Sequence, residues 1–125
     1  MIKRALILSS LAAALAVPVL ADGDPANGEK VFKKCKACHA VGEGAKNKVG
    51  PPLNGIIGAP AGQVEGFKYS DAMIEARDGG LVWTDETLAA FLAKPKDVVG
   101  KTKMSFPGLK KETDQADVIA YLKGF

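Results

Sequence analysis

The sequence has 125 residues, a length that suits a single domain. It contains 17 basic and 14 acidic residues, for a formal net charge of +3 at pH 7. Two of the basic residues, Lys3 and Arg4, lie at the very start, so the chain from residue 22 onward carries 15 − 14 = +1. So small a charge argues against a nucleic-acid-binding protein, which is typically strongly basic.

The first 21 residues have the pattern of a secretory signal peptide. A basic start is followed by an apolar run over residues 5–17 and by small residues that end at Ala21, which predicts cleavage before Asp22. The alternative is a membrane anchor, but the run is shorter than the ~20 residues that span a bilayer, and a proline interrupts its end. We therefore expect a cleaved leader over 1–21, a periplasmic mature domain over 22–125 and no stable membrane insertion.

Helices and loops are predicted along the mature chain. A first helix is predicted from Pro25 to Lys36, with Asp24 as its N-cap and the proline at the first helical position. Residues 40–66 are rich in Gly and Pro, so turns should dominate there.

Three further helices are predicted in the second half of the chain. They cover residues 70–76, residues 84–92 and a terminal amphipathic stretch that starts at about Glu112. Pro95 should prevent the middle helix from continuing, and residues 98–108 should form a loop. Since no segment alternates convincingly as a strand would, the predicted fold class is all-α.

The two cysteines and the single histidine of the chain stand together as Cys35-Lys36-Ala37-Cys38-His39. This is the C-x-x-C-H pattern that attaches c-type haem. Two thiols at this spacing near the end of a helix can reach the two vinyl groups of one porphyrin. The next residue, His39, is then placed under the iron as an axial ligand, so we expect one covalent haem c.

Three other uses of this pattern fit the sequence less well. A thioredoxin-like redox pair needs a preceding strand and a parallel sheet, and neither is apparent. Structural zinc takes four Cys or His ligands, whereas the mature chain has three in total. A disulfide across two intervening residues would close a very small loop and stabilise the fold little.

The second axial ligand can be narrowed by elimination. No second histidine exists, and Met1 leaves with the leader, so Met73 and Met104 remain. Met73 lies in a predicted helix, where methionine more often fills a core. Met104 lies in the predicted loop over residues 98–108, so elimination favours Met104 as the iron ligand.

Six segments besides the haem motif resemble the class I c-type cytochromes and follow that family's order. The resemblance is to the soluble carriers of purple bacteria and to mitochondrial cytochrome c, and it covers nearly all of the mature chain. It implies a small fold of helices and loops wrapped around one haem, in which the first and last helices cross and Gly28 lets Tyr121 approach. The segments are residues 28–35, 49–55, 66–72, 81–84, 101–108 and 117–122.

The resemblance also implies roles for three residues around the haem. The carbonyl of Pro51 would accept a hydrogen bond from the far ring nitrogen of His39. Tyr69 and Trp83 would donate hydrogen bonds to a haem propionate. For these two residues the simpler interpretation, aromatic side chains of the core, stays open.

The predicted function is one-electron transfer between redox proteins of a respiratory or photosynthetic chain, and not catalysis. Two tightly held axial ligands leave no open site on the iron, and the sequence supplies no acid, base or nucleophile for a substrate. One rival is a gas-binding haem protein with five-coordinate iron, whose cytochrome form usually carries C-x-x-C-H near the C-terminus. The other rival is a small thiol-disulfide enzyme, which would contain no covalent haem.

Lysines are concentrated in two stretches of the chain that flank the expected haem ligands. We expect them to surround the haem edge and to dock a monomeric carrier onto acidic faces of membrane redox complexes. The segment from residue 65 to residue 86 carries six acids and should lie elsewhere. The lysines are Lys33, Lys34, Lys36, Lys46 and Lys48 in one stretch, and Lys94, Lys96, Lys101, Lys103, Lys110 and Lys111 in the other.

Overall fold

The computed structural model describes residues 22–125, and the predicted signal peptide lies outside these residues. This part of the chain forms five helices: α1 (Pro25–Phe32), α2 (Asp71–Asp78), α3 (Asp85–Ala93), α4 (Pro95–Val98) and α5 (Glu112–Leu122). It contains no strand, and its one β-type contact is an isolated antiparallel bridge between Pro60 and Val82. The all-α prediction is therefore confirmed. No helix among these five is long and apolar enough to cross a membrane.

The first three helices begin where polar side chains satisfy the free backbone N–H groups of the first turn. The carboxylate of Asp24 accepts from the N–H of Ala26 at 2.9 Å, as expected of an N-cap. The Ser70 hydroxyl accepts from the first turn of α2. Thr84 and Thr87 exchange reciprocal side-chain to backbone bonds at the start of α3.

The first helix ends at Phe32, four residues before the predicted end at Lys36. The chain continues in tighter turns, in which the N–H of Cys35 bonds to the carbonyl of Phe32 and that of Cys38 to the carbonyl of Cys35. Side chains three residues apart eclipse one another in turns of this kind. The three-residue spacing therefore keeps the two cysteines on the same side of the chain through these turns.

Pro95 ends α3, as predicted, and it also begins the one-turn helix α4. Lys94 between the two helices is extended, with φ −159°, which breaks the helical path. This short helix was not predicted because four residues are too few to show a period of 3.6. The irregular loop then runs from Val99 to the start of α5.

The first and last helices cross closely, which confirms the prediction. A Cβ atom on Gly28 would overlap the backbone carbonyl of Asp117 and lie 2.8 Å from the Cβ of Tyr121. Only glycine permits this approach. The rings of Phe32 and Tyr121 pack beside the crossing, with centroids 5.5 Å apart.

The core lies among α1, α3 and α5 and is completed by the loops. Its fully or nearly buried side chains include Phe32, Phe91, Val118 and Leu122. A second set of apolar side chains packs against this core but is only half-buried. That set includes Val41, Leu53, Ile56, Ile57, Leu81, Leu92, Val98, Met104 and Phe106.

Candidate haem site

The two cysteines of the C-x-x-C-H pattern are half-buried, and their sulfur atoms are not joined to each other. Burial raises the pKa of the Cys35 thiol, and the neighbouring Cys38 raises it further. Cys35 is therefore a neutral thiol at neutral pH. No three His, Cys, Asp or Glu side chains within residues 22–125 converge as a metal site.

The imidazole of His39 is oriented by the backbone on the far side of its ring. Its Nδ1 lies 2.7 Å from the carbonyl oxygen of Pro51, so the predicted hydrogen bond is present. A carbonyl can only accept, so Nδ1 carries the proton and donates it. Burial lowers the pKa of His39, against the opposing effect of the hydrogen bond to Pro51. In the neutral ring Nε2 is unprotonated, and its lone pair can bind an iron.

The backbone of Gly50 packs directly against the imidazole ring of His39. A Cβ atom on Gly50 would overlap His39 Cε1 and lie 2.8 Å from Nδ1, so the bare backbone of this residue is what packs against the imidazole. The N–H of Gly50 also donates to the carbonyl of Cys38 at 2.8 Å. In the sequence, Gly50 is marked only by a turn-rich segment and by a segment that resembles the family. Its contact with the histidine is a product of the fold.

Met104 is half-buried against the core, in the irregular loop after α4. Its N–H donates to the hydroxyl of Thr102 at 3.1 Å. The far end of the loop is fixed to α3, because the N–H of Leu109 donates to the carbonyl of Leu92 at 2.7 Å. Met73 is also half-buried against the core, but it lies within α2. Of the two methionines, Met104 is the one outside a helix.

Tyr69 and Trp83 each keep a hydrogen-bond donor available. The hydroxyl of Tyr69 accepts from the N–H of Val64 at 2.8 Å, which leaves its own proton free to be donated. Burial raises the pKa of Tyr69, so the hydroxyl is protonated at neutral pH. Trp83 is 5% exposed, its ring packs at a tilt against Phe91 with centroids 4.9 Å apart, and its indole N–H bonds to no other residue among those described.

These features fit a haem. Several apolar side chains are only half-buried against the core, and contact with a flat apolar ring would remove their remaining surface from water. Two thiols on one side of a turn and a histidine with a free Nε2 supply the attachment points and an iron ligand. Two aromatic residues with unused donors suit the propionates, which accept hydrogen bonds.

The sequence model described as "Cytochrome c" matches residues 25–125. Cytochrome c-550 of Ancylobacter novellus is 58% identical over 101 residues, which cover 81% of this chain and 94% of that protein. Cytochrome c2 of Blastochloris viridis is 45% identical over 122 residues, or 98% of this chain and 94% of the relative. The solved structure of cytochrome c2 from Rhodospirillum centenum superposes with a TM-score of 0.79 at 46% identity, covering 82% of this chain and 98% of its own.

The family match spans almost all of the described residues, and the identities lie well above the level at which membership is in doubt. The same C-x-x-C-H motif carries the covalent cofactor, one haem c, in this family. The chain belongs to the cytochrome c family and is an electron carrier, not an enzyme.

Proposed function

We propose that residues 22–125, released from their leader by cleavage before Asp22, work in the bacterial periplasm. Cys35 and Cys38 would hold the haem through thioether bonds to its vinyl carbons, and His39 and Met104 would ligate its iron. The observation that carries this proposal is the hydrogen bond of 2.7 Å from His39 Nδ1 to the Pro51 carbonyl, which leaves Nε2 free for the metal.

The bound haem supplies a reversible one-electron change at iron, and the thioether of a methionine raises its potential. The residues of the chain lower the free energy needed for that change, because they hold the iron ligands nearly still. The contact of Gly50 with the His39 ring and the bond to Pro51 hold the imidazole in one orientation. Fixed ligands reduce the rearrangement that accompanies each electron.

Tyr69 and Trp83 donate hydrogen bonds to a haem propionate in this proposal. Their unused donors are the support for it. A buried carboxylate is stabilised by such donors, since a charge that is buried without partners is costly. The two side chains thereby also stabilise one orientation of the haem.

The lysines of the two stretches direct the carrier to its partners. Within residues 22–125 the only lysine–carboxylate ion pairs are Lys94–Asp97 at 3.7 Å and Lys123–Asp85 at 2.6 Å. All other lysines of the two stretches therefore keep an unpaired charge. We propose that they dock the monomer on acidic faces of membrane redox complexes, in either a respiratory or a photosynthetic chain.

The ligand assignment is tested by replacing each methionine of the mature chain in the haem-loaded protein. Met104→Ala should abolish the weak near-infrared sulfur-to-iron band of the ferric form and lower the reduction potential, because the soft sulfur that favours ferrous iron is lost. Met73→Ala is the matched control and should keep the band. Survival of the band in Met104→Ala, with its loss in Met73→Ala, would assign Met73 instead.

A further inference from the structure

Val49 is the most exposed large apolar side chain of the described residues, with 78% of its surface accessible. The next two are Phe125 at 40% and Val82 at 37%. A single exposed valine is not unusual in itself. What distinguishes Val49 is the rigidity of its support and the charge around it.

The turn that carries Val49 is fixed to the haem-attachment segment at several points. The N–H of Lys48 donates to the carbonyl of Gly50 at 2.9 Å, which closes the turn around Val49. The N–H of Gly50 donates to the carbonyl of Cys38, and the ammonium of Lys48 donates to the carbonyl of Lys36 at 2.8 Å. Val49 therefore stands one residue from the contact with the histidine ring, on a support with little freedom to move.

Three lysines lie near this apolar point along the chain, and the ammonium of Lys48 reaches the backbone of Lys36. Lys36, Lys46 and Lys48 are all exposed, and none forms an ion pair with a carboxylate of residues 22–125. The side chain of Lys48 bonds to a neutral carbonyl and not to a carboxylate. Glu43 is the one acidic residue between the haem motif and Val49, so the local balance is clearly positive.

We propose that Val49 is the apolar contact that an acidic redox protein makes when it docks on this carrier. The inference rests on the proposed function, and it adds the residue that determines where the partner settles. Screened charges attract over ~8–10 Å but define no unique register. A small desolvated contact inside a polar rim does define one, because it is made only at close range. The matching surface is a shallow apolar depression bordered by carboxylates; a second copy of this chain is disfavoured, since it would bring lysines against lysines.

The experiment measures electron transfer from an acidic flavodoxin in its hydroquinone form to the ferric holoprotein. One electron leaves the flavin, which becomes a semiquinone, and reduces Fe(III) to Fe(II). Saturation of the rate with flavodoxin concentration gives the Kd of the complex. Val49→Thr keeps the shape of the side chain but replaces a methyl group by a hydroxyl, and it should raise this Kd about fourfold at every ionic strength.

Two variants and one small reagent serve as controls. Val82→Thr makes the same chemical change at another exposed valine and should leave the Kd unchanged. Val49→Leu retains an apolar contact and should bind at least as tightly as the natural protein. The anion tris(oxalato)cobaltate(III), which takes one electron from the ferrous protein and becomes Co(II), responds to the lysines but has no apolar surface. Its rate should be equal for Val49→Thr and the natural protein.

Three results would overturn the proposal. Equal Kd values for Val49→Thr and Val82→Thr would remove the role of Val49 and leave the docking lysines intact. A change in the cobalt rate for Val49→Thr would place the effect at the iron and not in docking. A natural protein whose reaction with flavodoxin ignores salt would reject the proposed docking by charge, and the inference with it.

Discussion

The imidazole ring of His39 is held in one orientation by backbone atoms of residues that lie 11 and 12 positions further along the chain. Pro51 contributes its carbonyl and Gly50 contributes the absence of a side chain. Proline suits the first task, because its lack of an N–H does not affect its carbonyl and its fixed φ holds the turn. The orientation of His39 therefore depends both on the carbonyl of Pro51 and on the absence of a side chain at Gly50.

Gly50→Ala should lower the free energy of unfolding of the haem-loaded protein by about 1–3 kcal/mol, because the new methyl group would overlap His39 and force the ring or the turn to shift. Gly100→Ala is the matched control, since a Cβ there would meet no atom closer than 4.0 Å. Denaturant unfolding of both ferric variants checks the prediction. Equal free energies of unfolding for the two variants would mean that the turn accommodates the methyl group without destabilising the protein.

At the scale of elements, a carboxylate on α5 joins that helix to the start of α1. Asp117 accepts from the N–H of Asp24 through one oxygen and from the side-chain amide of Asn27 through the other, each at 2.7 Å. It therefore satisfies a free donor at the start of α1 while Gly28 allows the helices to touch. Asp117 thus both binds the start of α1 and fixes the register of the crossing between α1 and α5.

Asp117→Ala should destabilise the holoprotein by about 1–2 kcal/mol, because it leaves two donors without their acceptor. Glu75→Ala removes an exposed carboxylate of α2 whose side chain bonds to no other described residue, and it should change the stability by less than about 0.5 kcal/mol. Thermal or denaturant unfolding of the two variants decides the matter. An equal loss in both would show that Asp117 contributes only general charge.

For the whole molecule, the uneven placement of charge matters more than its sum. The mature chain has a net charge of +1, yet the residues from Lys94 to Lys111 contain six lysines and one acid. The salt bridge to Asp97 neutralises one of these lysines. The segment from residue 65 to residue 86 holds six acids against two basic residues. Such an asymmetric carrier would be oriented by the field of a charged partner before contact.

Electron-transfer rates with an acidic redox partner should therefore fall as salt rises from low ionic strength. Lys36→Glu and Lys103→Glu should slow association far more than Lys68→Glu, which makes the same change in net charge within the acid-rich segment. Stopped-flow rates over a series of salt concentrations provide the measurement. Equal effects at the three positions would indicate that the lysines only keep the protein soluble.

The sequence by itself determined the class of protein and the chemistry of its cofactor. The C-x-x-C-H spacing needs only local geometry, and an N-cap such as Asp24 acts within one turn, so both were predictable without a fold. The hydrogen bond from His39 to Pro51 was predicted only through resemblance to a family. Its presence depends on how an irregular loop returns to the haem motif, which no local pattern specifies.

The tertiary structure alone decided three other features. It ended α1 at Phe32, because tighter turns through the haem motif replace the α-helical period there. It set Gly50 against the histidine ring, a contact between segments that a sequence pattern does not relate. It exposed Val49 on a turn that hydrogen bonds tie to the haem-attachment segment, which no local pattern specifies. For Gly50 and Val49 the deciding interactions join segments that are distant in the sequence, and their energy exists only once the chain has folded.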